Sequence, residues 1–179
     1  MTRKWEIFWV LACLCLAVAV ECRGEEKARV FQDWALRPTE TASGWVLEQR
    51  VYVTGHEEAP LVGMTIQELD VAVDGETEAA LWGTLRIPLG VMLDGGVELR
   101  VDDGKRWSIS LHHCRQTGCI ALWPLSADLR AELEGGREAR VTFQSVDGQR
   151  IGVPISLMGI KAGLKALDAA LADKADTTS

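Results

Sequence analysis

Residues 97–111 run Val97-Glu98-Leu99-Arg100-Val101-Asp102-Asp103-Gly104-Lys105-Arg106-Trp107-Ser108-Ile109-Ser110-Leu111. Apolar side chains take every second position on both sides of an Asp103-Gly104 turn: Val97, Leu99 and Val101, then Trp107, Ile109 and Leu111. Successive side chains of an extended chain point to opposite faces, so each run buries one face and wets the other. Two alternating runs around Asp-Gly predict strands over 97–101 and 107–111 that turn back on each other.

The same pattern spreads outward in both directions. Val62 to Val73 alternates and ends at Asp74-Gly75, a hairpin signal. Trp45 to Val53 puts Trp45, Leu47, Gln49, Val51 and Val53 on one face. Val30 to Leu36 has strand-forming bulk with mixed alternation. Ala80 to Ile87 is a further strand, stopped by Pro88, and 89–96 is a compact linker. Ile120 to Trp123 and a strand around Val141 and Phe143 follow. Asp147-Gly148 then turns the chain into Ile151 to Leu157. Pro154 has no amide to donate, so this strand belongs at a sheet edge or a bulge. Strands spaced by about 10 residues with Asp-Gly turns predict an all-β antiparallel sandwich or barrel in one domain.

Two helices interrupt the strands. Ser126 can cap a helix that reaches Leu133, with Asp128 in its first turn and Gly135-Gly136 as its stop. A second helix is predicted from Gly159 to Ala172, where Ile160, Leu164, Leu167 and Leu171 form one stripe. That stripe suits the cover of an open sandwich end. Asp173 to Ser179 are polar and expected to fray.

The amino-terminal residues have another character. Arg3 and Lys4 precede an uncharged run, Ile7 to Val20, of about 14 residues, shorter than a bilayer-spanning helix. Polar residues follow from Glu21. This is the layout of a secretory signal peptide, expected over residues 1–24, with cleavage after Ala19 or Gly24. The folded domain is then expected over 25–172, without a membrane span. The net charge is −7, and removing the leader makes it one unit more negative. An acidic body argues against nucleic-acid binding and against adhesion to anionic lipid. Cys13 and Cys15 lie in the leader, and the fate of Cys22 depends on the cleavage site. Cys114 and Cys119 remain, with four residues between them across a Gly-containing turn, and an oxidising compartment would join them.

Five phrases in order carry a resemblance. They are Phe31-Gln32-Asp33-Trp34, Leu47-Glu48-Gln49, Pro88-Leu89-Gly90-Val91-Met92-Leu93 with Gly96 to Asp102, Cys114-Arg115-Gln116-Thr117-Gly118-Cys119-Ile120-Ala121, and Gly152-Val153-Pro154-Ile155-Ser156-Leu157-Met158-Gly159-Ile160. From Val30 to Leu167 the chain resembles the invasion-associated locus B family of exported bacterial proteins. The resemblance implies an immunoglobulin-like antiparallel β-sandwich, a periplasmic or secreted location in the cell envelope, and no known enzymatic activity. Many relatives carry a second cysteine pair, one member soon after the Phe-x-x-Trp phrase and one just before Leu-Glu-Gln. Here those segments read Trp34-Ala35-Leu36-Arg37-Pro38 and Trp45-Val46, so the fold is expected to hold with one staple fewer.

No catalytic, cofactor-binding or metal-binding residues are expected. The Cys114–Cys119 pair is flanked by strands, whereas catalytic dithiols sit two residues apart at a helix start. His112 and His113 are adjacent on a strand and expected on opposite faces, so they should not share a metal ion. His56 lies in a polar loop. No serine stands in a nucleophile elbow. Trp34, Trp45, Trp82, Trp107 and Trp123 are expected mainly in the core. The expected role is binding, to an envelope or surface protein, with the Pro154 strand and the loop Thr54 to Pro60 as contact surface. The alternatives are an envelope-integrity factor and, less favoured, a redox or metal-dependent enzyme.

Overall fold

A computed structural model of the protein describes residues 27–39, 44–55, 60–73 and 76–178. The expected leader, His56 and the Asp74-Gly75 turn lie outside the described residues. The strands are β1 (Arg29–Phe31), β2 (Trp34–Pro38), β3 (Trp45–Val51), β4 (Val62–Val73), β5 (Glu76–Ile87), β6 (Val97–Val101), β7 (Arg106–Ile109), β8 (Leu111–Arg115), β9 (Gly118–Pro124), β10 (Glu138–Gln144) and β11 (Arg150–Ser156). The helices are α1 (Ala127–Gly135), between β9 and β10, and α2 (Ile160–Thr178), after β11. One antiparallel sheet has the order β1-β2-β3-β4-β5-β9-β8 and the other β11-β10-β6-β7. This is the all-β, two-sheet arrangement that the alternation predicts, with its second helix at the C-terminus.

The inner faces of the two sheets share one core. Trp34, Leu36, Leu47, Met64, Ile66 and Leu85 come from the larger sheet, and Leu99, Val141, Val153 and Ile155 from the smaller. α2 packs on β1, β2 and β3. It buries Ile160, Leu164 and Leu167, with Leu171 partly covered. The apolar stripe is therefore used inside the fold. Ser126 caps α1, its hydroxyl accepting from the Leu129 amide at 3.3 Å. Gly136 closes the other end by donating to the Glu132 carbonyl. β11 is the outer strand of its sheet, with Pro154 opposite Arg140, as a residue without an amide proton requires.

Several boundaries differ from the sequence expectation. Residues 30–36 form a tight hairpin, not one strand: Phe31 pairs with Trp34, and Gln32 turns the chain at φ 54° without glycine. The 107–111 run breaks at Ser110. β7 pairs with β6 in the smaller sheet, whereas β8 pairs with β9 in the larger. Alternation continues across the break because it reports which face is buried, not which strand supplies the hydrogen bonds. β5 begins at Glu76, where Glu76-Thr77-Glu78 lacks apolar alternation but still pairs with β4. α2 continues to Thr178, beyond the predicted Ala172 end. Ala, Asp and Lys residues after Ala172 extend a helix already anchored by its buried stripe.

Candidate functional site

One end of the sandwich gathers the disulfide and most of the exposed apolar side chains. Gln116 and Thr117 turn β8 into β9, and Cys114 lies directly opposite Cys119. The two are joined, with Cα atoms 3.9 Å apart. Cys119 is buried and Cys114, on the edge strand, is exposed. Cys119 also pairs with Ile87, the last residue of β5. Gly118 sits at φ 126°, and a Cβ there would overlap the Ile87 carbonyl. The stapled turn is thus seated on the start of the β5–β6 loop.

That loop is itself pinned to the β10–β11 turn. Val91 bridges Ser145. The Met92 amide donates to the Gln144 carbonyl at 2.8 Å, and the Val146 amide to the Gly90 carbonyl at 2.9 Å. These bonds hold the backbones of the two loops together, yet the side chains stay in water: Leu89 is 54% exposed, Leu93 60%, Val146 68% and Met92 37%. Tyr52 and Val53 are also exposed and follow β3 at the same end. Their neighbours Thr54 and Gly55 are exposed too, but 56–59 lie outside the described residues. Apolar exposure gathered on loops over a rigid scaffold is the usual form of a recognition surface.

His112 and His113 do not point apart. Leu111 pairs with Ala121 and His113 with Ile120, so β8 holds one residue more than β9 at this point. This bulge carries His112 to the side of His113, and their Nδ1 atoms lie 2.8 Å apart. A bulge re-aims one side chain and breaks the period of two on which opposite faces depend. Both rings are exposed.

The remaining polar clusters fasten elements together. Glu48 is buried between Arg37 at 2.5 Å and Arg50 at 2.9 Å. Its hydrogen bond and charge raise the Arg50 pKa above the ordinary guanidinium value. Arg130 grips Asp168 and Glu134, tying α1 to α2, and the Asp168 hydrogen bond is the main cause of its raised pKa. Trp34 donates to the Ser156 carbonyl at 3.0 Å, and Trp107 to Glu132 at 3.0 Å. Trp34, Trp45 and Trp123 are buried. Trp82 and Trp107 are part-covered, so none of the five offers a broad exposed ring. Ser156 donates to Asp33 at 2.5 Å and accepts from the Met158 amide. Among the described residues no group of three or more His, Cys, Asp or Glu side chains could hold a metal ion. No helix of the described residues is long and apolar enough to cross a membrane.

The model of the invasion associated locus B protein family matches residues 56–168, more than half of the chain. The chain belongs to the invasion associated locus B family. The fold of the invasion associated protein B from Bartonella henselae, a crystal structure, is similar at a TM-score of 0.67. The two chains share 18% identity, and the match covers 80% of this chain and 96% of that one. Among curated proteins, none matches this chain.

The family phrases meet in pairs in this invasion associated locus B fold. The Phe31–Trp34 turn rests on Ser156–Gly159 through the Asp33 and Trp34 hydrogen bonds. The cysteine turn rests on the end of β5, next to Pro88. The segments Trp34–Pro38 and Trp45–Val51 are neighbouring strands here, Leu36 opposite Leu47 and Arg37 opposite Val46. Arg37 and Glu48 join them by charge.

The staple closes a loop of about six residues, so the Cys114→Ser, Cys119→Ser double variant should lose about 2 kcal/mol. The melting temperature should fall by about 4–8 °C. Calorimetry of the oxidised protein and the double variant checks this. Equal transitions would show that the hairpin needs no covalent link.

Proposed function

We propose that this protein is an exported, non-enzymatic accessory of the bacterial envelope that acts by binding another protein through the stapled end of its sandwich. The supporting observation is the gathering of Leu89, Met92, Leu93 and Val146, exposed on two loops that the backbone locks together. Isolated exposed apolar residues are ordinary; several on one rigid surface fit a partner with a complementary apolar face. Family membership supports the association with invasion for pathogenic relatives. The apolar leader and the oxidised cysteine pair support export.

The test is capture from an envelope extract with the native protein as bait. A specific partner should be recovered and should be lost with Leu93→Asp, Val146→Asp bait, whose melting transition should stay within about 2 °C of the parent because both side chains are already solvated. Equal recovery by both baits would move the binding surface elsewhere. Recovery of nothing above background would count against a binding role.

A further inference from the structure

We infer that His112 and His113 form a bidentate surface site for a divalent transition-metal ion, with copper(II) preferred to zinc(II). The two rings meet because the bulge in β8 sets both on one side of the strand, with Nδ1 atoms 2.8 Å apart. Their planes are 79° apart, with centroids separated by 5.1 Å. Contact between two Nδ1 atoms means that one ring donates its proton to the lone pair of the other. An ion can replace that proton. The donor ring then carries its hydrogen on Nε2, and each ring turns its Nδ1 lone pair from its neighbour to the metal. Two neutral rings lose no net proton in this exchange.

The spacing suits a close pair of neighbouring ligands. Imidazole–metal bonds are about 2.0–2.1 Å long. With the nitrogens 2.8 Å apart, the angle subtended at the ion is then roughly 86°. That is close to the right angle between neighbouring ligands in tetragonal copper(II) or nickel(II). Tetrahedral zinc would need nitrogens about 3.3 Å apart. Copper(II) also heads the general affinity order for nitrogen ligands. Water would complete the coordination, since both rings are exposed. The next residue, Cys114, is bonded across to Cys119, so the backbone carrying the pair is held before any ion arrives. This inference stands apart from the proposed protein-binding surface and would survive its failure.

The test is titration of the oxidised full chain with copper(II) in a non-chelating buffer, followed by calorimetry and electron paramagnetic resonance. One ion per chain with two equatorial nitrogens is expected, together with weaker binding of zinc(II). His112→Ala and His113→Ala should each weaken copper binding by about a hundredfold, because the second ligand loses its high effective concentration. His56→Ala should leave the site unchanged. Circular dichroism of the two strand variants, expected to match the parent, separates loss of a ligand from loss of fold. Unchanged binding in either strand variant, or loss in His56→Ala, would overturn the assignment. Substoichiometric binding that is equal in all variants would mean an adventitious ion only.

Discussion

Gly159→Ala should destabilise the protein by about 3 kcal/mol or more, the upper range of left-handed strain compounded by steric overlap. Gly159 holds φ 93° between β11 and α2. A Cβ there would occupy the position of the Phe31 carbonyl and crowd Gln32. Neither obstacle yields easily. The carbonyl belongs to the β1–β2 turn, which the Asp33 amide fixes by donating to the Met158 carbonyl at 3.3 Å. Relief would require separating the turn from the start of α2, and with it the helix from the sheet it covers. Urea unfolding followed by tryptophan fluorescence reads the effect. A change under about 0.5 kcal/mol, typical of unconstrained surface sites, would show that the turn and helix start move independently.

The second large effect is expected at Trp34. Its side chain is fully buried beside Leu36 and Leu47 in the common core. Its indole also donates to the Ser156 carbonyl across 122 residues of chain. Trp34→Ala should cost about 3–5 kcal/mol, from lost burial and the cavity left behind. Trp34→Phe keeps most of the volume and removes the donor, so about 1 kcal/mol should remain. Equal losses in the two variants would assign the effect to the hydrogen bond and not to packing. Trp34→Ala and Gly159→Ala act on one junction, so the double variant should lose less than the sum.

Much of the architecture is legible from side-chain periodicity. Val62 to Val73 is one strand end to end, and Ser126 with Gly135-Gly136 brackets α1, because these signals are local. Pro154 marks the edge because a missing amide excludes two-sided pairing. What escapes are changes of partner. Nothing in Trp107-Ser108-Ile109-Ser110-Leu111 announces that its halves join different sheets. Gln32 turns a chain with no glycine or asparagine to signal it. The same limit hides the histidine pair. A bulge is a mismatch between two strands, and the count of residues in β8 means nothing until β9 is laid beside it. The apolar loop end escapes for a related reason: Leu89, Leu93 and Val146 look like ordinary linker residues until two turns are seen to lock together.

The placement of α2 has a consequence for how the molecule is made. β2 and β3 are made long before α2, yet they wait for that helix to pack on them. Trp34 likewise waits for Ser156. Such distant pairings are slow to form and expose greasy surface in the meantime. The growing polypeptide therefore stays unfinished, and open to holding factors, until α2 has been made.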